Sequence, residues 1–282
     1  MNARCATCCS SRCSGNTDNS IDLRLAVEYD GTEFAGFQWQ PAVRTVAGTL
    51  ESALATLLHE PAKITGAGRT DSGVHATGQV VTFSTASTFP VERLAVALNA
   101  SLPRDCSVRE AVPVETGFSA RFSAIERTYE YAILNRPQRS ALTSRYAYHV
   151  ARPLDEGALR EAGAPLLGEH DFRSFAATGD GGSTVRVLRG LTVERRGELM
   201  RIRLVADSFL HHMVRTIVGT LLQCATDSRP GDAVSAILAA RDRRAAGPTA
   251  PAAGLCLAGV RYPDGYDSYA PHPLWHAGSL GR

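Results

Sequence analysis

The run Gly66-Ala-Gly-Arg-Thr-Asp71-Ser-Gly-Val-His-Ala-Thr-Gly-Gln-Val-Val-Thr-Phe83 constrains this chain more than any other stretch. Its closely spaced glycines read as a tight turn, and the alternating residues through Phe83 read as a strand. A lone carboxylate, Asp71, is thereby carried on a loop that feeds into a sheet, just after Arg69. A dinucleotide-binding fingerprint starting at Gly66 would need a glycine where Asp71 stands, and no P-loop Gly-Lys-Ser/Thr occurs, so neither nucleotide motif is present. Asp71 then has three readings. It can be a cap or ion-pair residue. It can belong to a carboxylate pair doing glycosidase-type acid–base work, for which no motif supplies the partner. It can be a nucleophile, kept ionised by a neighbouring arginine. Spacing alone does not separate the first from the third. His75, alone in such a loop, reads as a structural hydrogen-bonding residue rather than a catalytic one.

The remaining periodicities predict a mixed fold. Folded sequence begins at Ile21, where Leu23, Leu25, Val27 and Tyr29 alternate with polar positions as a strand with one buried face. Val46 to His59 carries a helical apolar face, closed by Pro61. A helix over 91–100 and a strand over 107–112 follow. Arg127 to Leu134 alternates, with Tyr129 and Tyr131 on one side, either core rings or a surface for stacking a base. Residues 154–167 read as helix, Gly179 to Ser183 as a loop, and Val185–Arg195 with Leu199–Ala206 as a hairpin about Arg196-Gly197. Phe209 to Cys224 is the clearest helix. Phe209, Met213, Ile217 and Leu221 form one apolar row, and Leu210, Val214, Val218 and Leu222 the next. His211, Arg215 and Gly219 form a seam between the rows. A helix with two apolar rows is deeply packed, so the seam with Arg215 is expected to face a cleft. His211 and His212 invite a metal, but adjacent helical positions point about 100° apart, and no metal is expected. A helix near 232–240, a closing strand Leu255–Tyr262 and an irregular Pro-rich tail complete the reading. Strands and helices mix without regular β-α-β alternation, which predicts an α+β fold with a largely antiparallel sheet, arranged as two lobes. The expected organisation is a disordered Cys-containing extension over 1–20, a lobe with the Asp71 loop over 21–120, and a lobe over 121–282 that completes the cleft.

Composition limits the partners. The net charge of +2 and pI near 8.2 exclude a polycation, so any nucleic-acid surface is a local patch. Lys63 is the only lysine; the other cations are arginines, which suit bidentate phosphate contacts. No apolar run approaches the length of a membrane span and no secretion signal is visible, so a cytoplasmic location is expected. Of seven cysteines, Cys5, Cys8, Cys9 and Cys13 crowd the N-terminus, where no second ligand pair completes a zinc fold. Cys106, Cys224 and Cys256 read as reduced thiols.

Several of these segments, in order, resemble one family. Gly68-Arg-Thr-Asp-Ser-Gly-Val-His-Ala76 and Gly78-Gln-Val-Val81 are similar to the catalytic motif of the tRNA pseudouridine synthase A family. The resemblance continues in Glu28-Tyr-Asp-Gly31, Phe118-Ser-Ala-Arg-Phe-Ser123, Arg127-Thr-Tyr-Glu-Tyr131, Asp171-Phe-Arg-Ser-Phe175 and Phe209-Leu-His-His-Met-Val-Arg-Thr-Ile-Val-Gly219. It covers about 21 to 265.

That resemblance implies the pseudouridine synthase fold, two α/β lobes sharing a mainly antiparallel sheet with a central cleft. It implies a homodimer, a tRNA bound across both subunits, and no cofactor or metal. The implied targets are uridines at about positions 38, 39 and 40 of the anticodon stem-loop, flipped out before reaction. Asp71 is implied as the essential catalytic group, acting at C1′, at C6 or on a sugar proton. Tyr129 is implied to pack on the target base and Arg215 to pair with Asp71. Arg69 is implied to position the flipped nucleotide, and Leu255 or Leu257 to line the uracil pocket. Arg121, Arg127 and Arg173 are candidate phosphate contacts. Phe34-Ala-Gly-Phe-Gln-Trp39 and the Arg-rich loop 239–246 depart from the family pattern.

Overall fold

The computed structural model describes residues 20–177, 182–263 and 265–275. The N-terminal cysteine group and most of the 179–183 loop lie outside the described residues. The strands are β1 (Ile21–Tyr29), β2 (Thr65–Gly66), β3 (His75–Thr85), β4 (Cys106–Val114), β5 (Glu126–Asn135), β6 (Tyr148–Val150), β7 (Gly168–Asp171), β8 (Val185–Arg196), β9 (Leu199–Ala206), β10 (Leu255–Arg261) and β11 (Ser268–Tyr269). The helices are α1 (Val46–Leu58), α2 (Val91–Ser101), α3 (Glu156–Gly163), α4 (Met213–Cys224) and α5 (Pro230–Ala240).

Among the described residues all strands join one sheet, with the path β4-β1-β3-β10-β5-β9-β8-β7. Every pairing along that path is antiparallel except β3 with β10, where Cys256 lies opposite His75 and Leu257 opposite Ala76. This is the α+β arrangement expected from the sequence. The parallel pair joins the early strands β1, β3 and β4 to the later ones. Gly78 makes the seam close: a Cβ there would stand 2.2 Å from the Ala258 carbonyl oxygen. The Asp71 loop therefore enters the sheet where its two halves meet.

The local rules hold for most elements. Thr45 caps α1 by accepting from the Gly48 N–H, and His59 closes it in the left-handed conformation. Leu50 and Leu54 of α1, Leu98 of α2, Phe172, Phe175, and Ile217 and Leu221 of α4 fill the core without solvent contact. Four expectations are corrected. β1 buries both faces, because Arg24 reaches Glu110 Oε2 at 2.5 Å and the Asp267 carbonyl at 2.9 Å. The 154–167 helix shortens to α3 and ends in a 3₁₀ turn, Ala164–Leu166, at Pro165, which has no N–H to continue the ladder. The helix expected from Phe209 begins at Met213, because His212 is left-handed (φ 63°) and the His211 carbonyl accepts from the Ala177 N–H. The described part of the tail carries structure of its own. β11 pairs with β10, and the tail covers buried Glu130, which accepts from Arg201 (3.1 Å), the Tyr269 hydroxyl (3.0 Å) and the His272 N–H (2.8 Å).

Candidate active site

Asp71 lies in a cavity of about 1430 Å³ lined by its own loop, by Tyr129 of β5, by the 207–215 segment and by Leu255 at the start of β10. The loop backbone is held from several directions. Arg127 donates to the Ala67 carbonyl through Nε (3.3 Å) and Nη2 (3.1 Å), and Gln79 Nε2 donates to the Gly68 carbonyl at 2.8 Å. The Phe37 N–H donates to the Thr70 carbonyl at 3.0 Å, while the Thr70 hydroxyl meets that of buried Tyr29 at 2.8 Å. Ser72 Oγ donates to the Phe34 carbonyl at 3.2 Å. Gly31 and Gly73 make the geometry possible. A Cβ on Gly31 would lie 1.9 Å from the Val74 carbonyl oxygen, and Gly73 turns with φ at +77°.

Within this frame the Asp71 carboxylate faces three basic groups. Arg215 Nη1 donates to Oδ2 at 2.8 Å, His211 Nε2 lies 3.3 Å from Oδ1, and His212 Nε2 lies 3.5 Å from Oδ2. Arg215 is fixed in turn. Its Nε donates to the Ala250 carbonyl at 2.8 Å, and the Ala250 N–H returns a bond to the Arg215 carbonyl at 3.0 Å. The pair is a charge-assisted contact between a loop of one half of the sheet and a helix of the other. Burial, with a smaller opposing pull from Asp71, holds the His212 ring below its ordinary pKa of 6.5.

The expected seam on α4 is partly realised. Arg215 faces the cleft, whereas Gly219 packs against the 247–250 segment, where a Cβ would stand 1.7 Å from the Pro248 carbonyl oxygen. Gly219→Ala must push α4 away from the segment that holds Arg215. Overpacking of this kind costs about 1–3 kcal/mol, and the variant is expected to melt earlier by calorimetry and turn over more slowly. An unchanged melting temperature would contradict the close approach.

Tyr129 lies in the cavity wall with its ring edge-on to Phe209, centroids 5.1 Å apart. Burial, reinforced by the Asp71 charge, pushes its hydroxyl upward, so the ring stays neutral. Tyr131 is core, donating its hydroxyl to the Pro251 carbonyl at 2.7 Å. Leu255 lines the cavity; Leu257 is fully buried opposite Tyr129 in the β5–β10 register. Arg69 is exposed in the cavity wall and held by no ion pair among the described residues. Arg121 also lines the cavity. Arg127, expected at phosphate, is instead spent internally: its guanidinium serves the carbonyls of Ala67, Arg121, Ala124 and Asp207. Arg173 is absent from the cavity wall.

Sequence reasoning missed the histidine pair. Adjacent positions diverge by about 100° only within a helix, but both residues precede α4, and their ring centroids lie 4.0 Å apart with the planes tilted by 41°. With Asp71 they offer ligand atoms within 4.8 Å of one another, the geometry of a possible cation site. Arg215 already occupies Oδ2 as a competing cation, which weakens the carboxylate as a metal ligand. The signal for the pair's placement was the His-His dipeptide just ahead of the apolar rows.

His75 is buried beside Asp30. Its Nε2 donates to the Arg145 carbonyl (2.7 Å), so in the neutral ring Nδ1 accepts from the Gly31 N–H (3.1 Å). Asp30 Oδ1, 3.2 Å from Nδ1, would form an ion pair only with a charged ring. Burial outweighs the Asp30 attraction and lowers the His75 pKa below 6.5, so the neutral form is the folded one. The unfolded chain then takes up a proton that the folded chain refuses. The stability from neutral His75 is complete above about pH 6.5 and is lost as pH falls below that value toward the folded pKa. Urea unfolding is expected to show this decline, and His75→Gln to flatten it. Equal slopes in both proteins would contradict the assignment.

Comparison with known proteins agrees with this architecture. A family model described as tRNA pseudouridine synthase matches residues 25–123 and 162–263. A tRNA pseudouridine synthase A of Halalkalibacterium halodurans is 46% identical over 236 residues, covering 83% of this chain and 89% of that protein. One of Moorella thermoacetica is 45% identical over 246 residues, 85% of this chain and 99% of that protein. One of Methylobacterium nodulans is 46% identical over 243 residues, 86% of this chain and 96% of that protein. The fold, the braced Asp71 loop and similarity along almost the whole described chain lead to one assignment: the chain belongs to the tRNA pseudouridine synthase family.

Proposed function

We propose that this protein isomerises uridine to pseudouridine in tRNA, with Asp71 as the reacting carboxylate and no cofactor. The observation that carries the reading is the Asp71–Arg215 pair in a cavity that also contains Tyr129. In the reaction the N1–C1′ bond breaks, the uracil rotates, and a C5–C1′ bond forms. C5 gives up its proton to solvent and N1 gains one, so atoms and charge balance. Arg215 fixes Oδ2 at 2.8 Å, so the reacting oxygen is Oδ1, whose longer contact to His211 Nε2 at 3.3 Å gives way to the substrate. Attack at C1′, addition to C6 and removal of a sugar proton all start from this oxygen.

A target inside a stem must leave its stack, at a cost of about a few kcal/mol. Arg69, exposed and without an ion pair among the described residues, fills the vacated place or holds the phosphate. Tyr129 packs on the extruded base, with Leu255 lining the uracil pocket and Leu257 supporting it from beneath. The family resemblance supports targets in the anticodon stem-loop and a tRNA bound across a homodimer, and a tRNA substrate is consistent with a cytoplasmic reaction. The small net charge supports a cleft that reads shape over one that gathers nucleic acid by charge alone. Among the described residues no helix is long and apolar enough to cross a membrane. A pseudouridine map of total RNA with and without the gene tests the reading. Loss of signal confined to the anticodon arm is expected; an unchanged arm with loss elsewhere would move the target.

A further inference from the structure

The chain contains two tryptophans, in opposite environments. Trp275 is 3% exposed, whereas Trp39 is 55% exposed at the rim of the Asp71 cavity. The Trp39 indole is nevertheless supported. Its Cδ1 would lie 3.2 Å from a Cβ on Gly48, so the bare first turn of α1 seats its edge. Lys63 Nζ lies 5.8 Å from the ring centroid. Trp39 also lines a second hollow of about 620 Å³, between α1 and the end of α2, with Val43, Arg44, Ser52 and Leu102. That volume falls in the range of roughly 300–1,000 Å³ found for small-ligand sites. Val43 in the same hollow is half exposed.

A large ring held at its edge, with a cation beside it and the rest open to solvent, is a stacking platform for a nucleobase. Its continuity with the Asp71 cavity favours RNA over any other occupant, and the exposed Arg69 and Arg121 put positive charge along the way. We propose that Trp39 stacks an unpaired nucleobase of the bound RNA, one flanking the target uridine, and that the second hollow receives it. This assignment rests on the RNA reading of the Asp71 site.

The test uses full-length protein. Because Trp275 is buried, a change in tryptophan emission on adding unmodified tRNA transcript to the Asp71→Asn protein reports Trp39. Saturable quenching is expected, and the same titration of Asp71→Asn, Trp39→Phe removes it. In otherwise unaltered enzyme, Trp39→Ala is expected to raise KM about tenfold, the scale of one lost base stack, with kcat within about twofold. Trp39→Phe should restore most of the loss. A fully paired RNA duplex should leave the emission unchanged. If tRNA is bound and turned over while Trp39 emission and the Trp39→Ala KM stay unchanged, the stacking site is overturned and the isomerase reading stands. Quenching without isomerisation of any RNA keeps the stacking site and overturns the isomerase reading. If emission follows protein concentration alone and Trp39→Ala lowers the oligomer mass, a second copy of the chain covers the ring and the proposal fails.

Discussion

Asp71→Asn is expected to lower uridine isomerisation by more than about 10³-fold, the scale seen when a covalent nucleophile is removed. The protein should stay folded and still bind tRNA. The amide keeps the shape of the carboxylate, and its oxygen can still accept from Arg215. It loses the negative charge that the two histidines and Arg215 surround. An amide is a poor nucleophile and a poor base, so all three possible first steps fail together. The loop itself should survive, because it is held by Arg127, Gln79, Phe37 and Tyr29 through atoms other than the Asp71 carboxylate. Turnover by gel-purified tRNA, with melting temperature and filter-binding affinity as controls, checks this. Activity within tenfold of the parent protein would remove Asp71 from the chemistry.

The second large effect is expected at Arg215. Its guanidinium spans two fixed acceptors, Asp71 Oδ2 and the Ala250 carbonyl, so it sets both the position of the carboxylate and its own. Arg215→Met keeps much of the packing volume and removes both bonds. Small misplacements of a reacting group cost on the order of 10²-fold, and a loss of that size or more is expected in kcat, with KM changed little. Arg215→Lys restores a charge but, as a point donor, cannot hold both acceptors in one plane. It should recover only part of the rate. A kcat for Arg215→Met within about twofold of the parent would show that the ion pair is structural and that Asp71 is positioned by its loop alone.

Much of this site was legible in the sequence because its parts are local. Asp71 sits among glycines whose only economical use is a turn, and Arg215 interrupts two apolar rows on a helix. Both ends of the ion pair could be identified separately, and the family motifs joined them. β1, α1 and the β8–β9 hairpin were legible for the same reason: period, cap and turn residues lie within a few positions of one another.

The missing parts depend on pairings distant in sequence. The parallel seam between β3 and β10 leaves no local mark except Gly78, whose absent Cβ has meaning only once Ala258 is beside it. Arg127 looked like an RNA contact because an arginine in a strand gives no hint that four backbone carbonyls surround it. His211 and His212 were assigned to a helix because the apolar period runs through them. One left-handed residue, His212, and one carbonyl, that of His211, accepting from the Ala177 N–H stop the helix short and turn both rings toward Asp71. Glu130 in an alternating strand gave no sign that the tail would fold over it.

The most direct test follows the C5 proton. Formation of the C5–C1′ bond expels it, so tRNA transcribed with uridine tritiated at C5 should release tritium to water in step with pseudouridine appearing in the anticodon arm. Purified full-length protein is expected to do this without added metal or cofactor, and the Asp71→Asn protein to bind the same tRNA and release none. Folded wild-type protein that binds the tRNA and releases no tritium would contradict the isomerase account.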